Sequence, residues 1–328
     1  DGYDCPGCAW PDPDNHRSTF EFCENGAKAF ATEATNKRVT PDDLMEYSVT
    51  ELSKLTDMEL DKMGRITHPM YLREDSDHYE KIDWDEAFEI ISSGVRNTNS
   101  PDEVVFYTSG RASNEAAFLW GTLARQIGTN NLPDCSNMCH ESSGVALSNS
   151  IGIGKGTVKL SCFDNADLIL VIGQNPGTNH PRMLTALAGC RENGGSVVSI
   201  NPLEETAMKR FKHPQNPLHL LGRGVQIADE HLPVRIGGDA ALLQGFSKVV
   251  LSEESIDSEF ISSNTSGFEQ WQKHINSASW EEIEIQSGIP RESIERVGKA
   301  IANSKRMIVC WAMGLTQHEN SVAVIQEV

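Results

Sequence analysis

No stretch of this sequence stays apolar for the roughly 20 residues that a membrane-spanning helix requires, so no membrane span is expected. Basic residues are scarce: 28 Lys and Arg stand against 47 Asp and Glu, a net charge of -19. A general nucleic-acid binder needs a basic footprint, so no nucleic-acid partner is expected either. The eight cysteines, at 5, 8, 23, 135, 139, 162, 190 and 310, are spread too thinly for a small secreted disulfide scaffold. That usage fits a reduced, cytoplasmic protein. No internal repeat and no low-complexity tract is present. The glycine-rich Gly152-Ile153-Gly154-Lys155-Gly156-Thr157 lacks the order of a phosphate loop, because Gly156 separates Lys155 from Thr157. It reads as a turn. The chain opens at Asp1 without Met or a secretory or twin-arginine signal, and its last helical pattern stops midway at Val328. A piece of a longer protein is expected.

What is present is ordinary globular material, 38% apolar and 23% charged, enough for two domains or one large α/β unit. Residues 1 to about 30 are irregular, punctuated by Pro6, Gly7, Pro11 and Pro13. A helix is expected over 41–64, with Thr40-Pro41 at its start, and another after Asp83. From about residue 103 the pattern becomes α/β. Val104–Tyr107 reads as a short strand, and Ser113 starts a helix. The stretch from Thr129 to Leu147 reads as a loop entering a short helix. The run Asp167–Gly173 suits a strand buried on both faces of a parallel sheet, and Ser196–Pro202 is the next strand after a helix. That strand–helix–strand unit of about 35 residues has βαβ length. Residues 203–233 read as loop, helices are expected over 257–263, 267–276, 279–286 and 290–303, and Met307–Trp311 is a further strand.

Three patterns carry chemistry. The turn Gly173-Gln174-Asn175-Pro176-Gly177-Thr178-Asn179-His180 follows a strand's carboxyl end, the usual ligand crevice of an open α/β sheet. Asn201-Pro202 ends the next strand, and Gly237-Gly238-Asp239 stands at a helix start where N–H groups hold anions. These suit a large nucleotide-bearing ligand, and equally ordinary turns of an α/β domain. Arg111, Lys155, Arg182 and Arg210 are candidate phosphate partners or plain surface charge. Cys139-His140 places a thiol and an imidazole together on a loop; an inert buried thiol is the commoner fate of a free cysteine. Cys5 and Cys8 form a CxxC that zinc, redox or iron–sulfur chemistry can use. Cys23 is a third candidate ligand, and Asp12 stands where a third closely spaced cysteine would fall, with His16 as the other substitute.

Together, CPGCAWPDP (5–13), SGRASNEAAFLW (109–120), GTNNLPDCSNMCHESSGVAL (128–147), IGQNPGTNHPRML (172–184) and WAMGLTQHENS (311–321) resemble one family. They are similar to the formate dehydrogenase-like molybdopterin oxidoreductase alpha subunits of the dimethyl-sulfoxide-reductase superfamily. The resemblance implies parallel-sheet, Rossmann-like α/β domains behind an irregular N-terminal cluster segment, divided as 1–68, 69–134 and 135–328. It implies molybdenum or tungsten bound by two molybdopterin guanine dinucleotides, with Cys139 as metal ligand and His140 as proton carrier. Gly173, Asn175, His180, Asn201, Gly237, Asp239, Gly314 and Gln317 match its dinucleotide contacts, and Cys5, Cys8 and Cys23 match three of its four 4Fe–4S cysteines. This sequence departs from the family at Asp12, and Glu24-Asn25-Gly26 replaces a Lys-Gly pair, with Lys28 out of register. The implied function is two-electron oxidation of a small substrate, formate among the candidates, with electrons passing through the cluster to an acceptor protein. The alternatives are another small substrate on the same scaffold, or a non-catalytic nucleotide-binding or regulatory protein that has lost its electron relay.

Overall fold

Capping residues, more than any long hydrophobic period, organise the first part of the chain. The computed structural model describes residues 10–11, 23–108, 112–133, 135–213, 216–222 and 224–328, with backbone alone at 135, 136, 217 and 220. It divides into two compact units, Gly26–Asp134 and Asp1–Asn25 with Cys135–Val328. In the first, the single helix expected over 41–64 is three: Pro41–Glu46, Val49–Leu52 and Asp57–Met63. Each begins with a capping box, Thr40 with Asp43, Ser48 with Glu51 and Thr56 with Glu59. The hydroxyl takes the N3 amide while the carboxylate takes the cap's own amide. Each box starts a new helix and interrupts the one before it.

Two small ladders join these helices. β1 (Arg38–Val39) runs parallel to β2 (Arg65–Ile66), and β3 (Met70–Tyr71) antiparallel to β4 (Glu80–Lys81). Val39, Leu44 and Leu52 form the core between them. Asp83 and Ser113 cap the helices Trp84–Arg96 and Asn114–Ile127, as the sequence suggests. The expected strand at Val104–Tyr107 does not form. That segment pairs with no strand, and the Phe106 amide donates to Asn131 O at 2.9 Å. A helix, Glu24–Glu33, begins inside the stretch expected to be irregular.

The second unit is built on a four-stranded sheet in the order β7–β6–β5–β8, every neighbouring pair parallel. β5 is Leu168–Ile172, β6 Ser196–Ile200, β7 Glu230–Leu232 and β8 Met307–Trp311. The sequence shows three of these; β7 lies in the segment read as loop. β5 is buried at every position. Leu168, Leu170 and Ile172 join a core with Leu242, Phe246 and Ile294 on one face. Ile169 and Val171 join Met183, Leu187 and Phe163 on the other. A strand with helices on both faces needs no polar alternation, which is why its sequence is an unbroken apolar run. The helix Pro181–Glu192 connects β5 to β6. Among the described residues no helix is long and apolar enough to cross a membrane. The chain is therefore an α/β protein with a parallel sheet.

Candidate functional site

From β5 the chain moves outward through β6 to β7, then returns to place β8 on the other side of β5. The switch point lies between the carboxyl ends of β5 and β8, where open α/β sheets bind their ligands. Gly173 follows β5 and Gly314 follows β8. The Gly314 amide donates to Gly173 O at 3.1 Å. A Cβ on Gly173 would stand 2.6 Å from Gly314 Cα, and one on Gly314 would stand 2.3 Å from Gly173 Cα. Gly173 also has φ +59°. Only glycine at both positions lets the two backbones meet here.

Cys139 lies on the helix Cys135–Ile151, which packs against the segment after β8. The loop expected from Thr129 stands as far as Pro133, but the helix after it is longer than the short one expected and is interrupted at His140 (φ -135°, ψ 16°). The break loosens the carbonyl ladder just before it, and the loop after β8 answers. Gln317 Nε2 donates to Met138 O at 3.0 Å and to Cys139 O at 3.3 Å, and lies 3.2 Å from Thr316 Oγ1. Ser142 Oγ donates to Thr316 O at 3.3 Å. His140 Nδ1 lies 3.3 Å from Ser143 Oγ, which accepts from Trp311 Nε1 at 2.9 Å. The Cys139-His140 pair is thus tied to the end of β8 at several points.

The turn after β5 divides into two halves. Asn175 Oδ1 accepts from the Thr178 amide at 3.2 Å, while its Nδ2 donates to Glu205 at 2.8 Å. Asn201 Nδ2 donates to the same carboxylate at 3.2 Å and to Leu203 O at 3.0 Å. Glu205 therefore braces Asn175 against Asn201, a role the sequence does not advertise. His180 ends the turn. Burial, and then the nearby His140 charge, hold its imidazole below the ordinary value of 6.5. His180 Nδ1 and Gln174 Oε1 are buried without a hydrogen-bond partner. A buried polar atom left unpaired is costly and asks for a ligand or water.

Gly237 (φ +83°) precedes the helix Asp239–Ser252 and is exposed, with open space where a Cβ would stand. Asp239 is 6% exposed. Burial pushes its carboxyl up from 3.8, against the opposing pull of its own backbone amide and of His318. His318 Nε2 lies 2.8 Å from Gly314 O, which places Asp239 in the field of a ring seated on the switch-point loop.

Two cavities adjoin these residues. One, of about 310 Å³, is lined by Cys139 with Asn137, Met138, Glu141 and Ser142 of its helix, and by Val145, Thr316 and Val322. The other, of about 210 Å³, is lined by Cys23, Gly177, Arg182, Phe211, Lys212 and His213 among others. Cys5, Cys8, Asp12, His16 and Arg111 lie outside the described residues. Gln174, Glu205, Ser143 and Trp311 were missed in the sequence. Gln174 alone was signalled, by its place in the turn after β5.

The residues present fit a molybdopterin-type ligand. The crevice floor is bare backbone, two buried polar atoms in the turn after β5 lack partners, and Cys139 lines a cavity together with Thr316 of the segment after β8. Comparison with known proteins agrees. The molybdopterin oxidoreductase profile matches residues 65–328. An uncharacterized oxidoreductase of Mycobacterium tuberculosis is 47% identical over 333 residues, covering 100% of this chain and 43% of that protein. Protein YdeP of Escherichia coli is 44% identical over 338 residues, covering 100% and 44%. Formate dehydrogenase H of Escherichia coli is 28% identical over 268 residues, covering 80% and 35%. Acetylene hydratase from Pelobacter acetylenicus shares the fold, with a TM-score of 0.63 at 18% identity, over 93% of this chain and 36% of that one. The chain thus spans less than half the length of the curated relatives it matches. A profile match over most of the chain makes it a member of the molybdopterin oxidoreductase family.

Proposed function

We propose that the whole protein is a molybdenum-dependent oxidoreductase of the formate dehydrogenase type, working in the cytoplasm and delivering electrons to an acceptor protein. The observation that carries this reading is the seating of Cys139-His140: a thiol and an imidazole at a helix break, fastened by Gln317 and Trp311 to the sheet's ligand-binding edge. When bound, a molybdenum held by two molybdopterin guanine dinucleotides supplies a centre that accepts two electrons from a small substrate. Cys139 offers it a soft thiolate ligand. Gln317, bonded to the Cys139 carbonyl, fixes the direction from which that sulfur comes.

His140 is the group that takes up the proton a substrate loses on oxidation. Trp311 can only donate, so the Ser143 hydroxyl accepts from it, and the same oxygen lies within hydrogen-bond distance of His140 Nδ1, which orients the ring. Gly173 and Gly314 give a phosphate-bearing ligand close access to the backbone, and Gln174 and His180 supply buried polar atoms to it. Asn175 and Asn201, braced by Glu205, together with Gly237 and the Asp239 carboxylate, complete the set that would orient the dinucleotides. Cys5, Cys8 and Cys23 would hold a 4Fe–4S cluster, with Asp12 or His16 in place of the missing cysteine. The divisions 1–68, 69–134 and 135–328 stand as the proposed cluster segment, first domain portion and second domain.

Metal analysis of the full-length protein made anaerobically tests this reading. Near one molybdenum or tungsten per chain, and pterin fluorescence after acid oxidation, are expected; absence of both ends it. Cys139→Ala should abolish turnover with the fold intact. An iron count of the reduced protein, with its paramagnetic resonance spectrum, reads the cluster separately.

A further inference from the structure

Glu141 lines the same cavity as Cys139. Besides Cys139, the other described lining residues carry no formal charge: Asn137, Ser142 and Thr316 are polar, and Met138, Val145 and Val322 are apolar. Among the described residues, Glu141 therefore brings the only formal charge to that wall. No side-chain hydrogen bond or ion pair of Glu141 to a described residue accounts for it structurally, in contrast to Glu205 or Glu51, whose carboxylates visibly brace the fold. Glu141 is an exposed residue at the cavity's wall, and a carboxylate there raises the cost of admitting an anion, lowers that of a cation and leaves a neutral molecule almost unaffected, with solvent screening the effect in part. The net charge of -19 adds a field of the same sign.

We propose that Glu141 is a charge filter: it turns small anions, free formate included, away from the Cys139 cavity and admits an uncharged or cationic substrate. This rests on the reading that the Cys139 cavity belongs to the active site, and it selects, within that reading, against formate itself.

The test uses the cysteine as its own reporter, in full-length protein prepared without pterin. Cys139 is alkylated with iodoacetamide, which is neutral, and with iodoacetate, which is an anion, and each rate is read by peptide mass spectrometry. In the wild type iodoacetate should lag further behind iodoacetamide than it does with a free cysteine peptide, by up to about fivefold, the effect of one unit charge at about 4 Å in water. Glu141→Gln should return the ratio to the peptide value, and Glu141→Lys should carry it past that value. Cys162 in the same samples should keep its ratio in all three proteins, which also reports that the fold is unchanged. An identical Cys139 ratio in wild type and both variants overturns the proposal, as does wild-type turnover of formate that Glu141→Gln leaves unaltered. The two failures are distinguishable. Full-length protein that binds no metal removes the oxidoreductase function and the substrate filter with it, even where the ratio is shifted; protein that binds metal with an unshifted ratio removes only the filter.

Discussion

Gln317 spends one carboxamide on the carbonyls of Met138 and Cys139, so its loss should be felt at a residue far away in sequence. Gln317→Ala should cost about 1–2 kcal/mol, from carbonyls left without a donor at the helix break. The readout is a lower denaturation midpoint at unchanged m-value. In the metal-loaded full-length protein the same variant should shift the molybdenum(V) resonance, because the sulfur is no longer held in direction; a change of stability alone would leave that spectrum in place. Asp239 makes the opposite prediction. Burial raises its carboxyl above 3.8, so the folded state prefers it protonated. Its unfavourable contribution is absent below that value and grows as pH rises through the folded-state value. Asp239→Asn should therefore raise the melting temperature at pH 7 in cofactor-free protein, and the gain should vanish near pH 3. That gain is the outcome expected of the ligand-contact role proposed for Asp239, whose buried carboxyl costs stability in the cofactor-free protein.

At the scale of elements, the three capping boxes offer the cleanest measurement. Thr56→Ala removes the hydroxyl that accepts from the Glu59 amide, and should cost about 1 kcal/mol, with lost amide protection confined to Asp57–Met63. The same boxes show where legibility ended. Thr56-x-x-Glu59 and Ser48-x-x-Glu51 are readable signals, yet the apolar spacing of Leu44, Leu52 and Leu60 also suits one long helix. The local hydrogen bonds won. β5 was plain because burial on both faces demands an apolar run, and β8, though an edge strand, is five apolar residues, whereas β7 is three residues long and contains Glu230 and His231. Val104–Tyr107 has strand composition but no partner strand, and a strand is defined by its neighbour. In the site, Gly173 and Gly314 were visible from the turns they occupy, while Glu205 and Glu141 were not. Their roles depend on which loops meet, and spacing along the chain carries no such information.

Over the whole molecule, the first unit carries apolar surface that nothing within it covers. Trp84, Phe88 and Ile91 follow one another at helical spacing and are each more than half exposed, and Phe118 and Leu119 on the helix Asn114–Ile127 are more exposed still. Patches of this kind mark contact surfaces or association hazards. The 328-residue chain alone should bind a hydrophobic dye and self-associate with concentration, and Trp84→Gln with Phe88→Gln should reduce both; a monomeric chain that leaves the dye dark would contradict the exposure. The second unit has a history written into its order. Trp10 packs edge-on against Phe163, with ring centroids 5.6 Å apart, and the whole of Gly26–Asp134 is threaded between them. On the ribosome Trp10 emerges long before its partner exists. At about 5–20 residues per second it waits roughly 8 to 30 seconds for the ring it packs against. Gly26–Asp134 is complete and free to fold before Phe163 is made, so Trp10, made ahead of that unit, finds its place after it. A pause in translation shortly after residue 134 would lengthen that wait without changing a single contact of the finished protein.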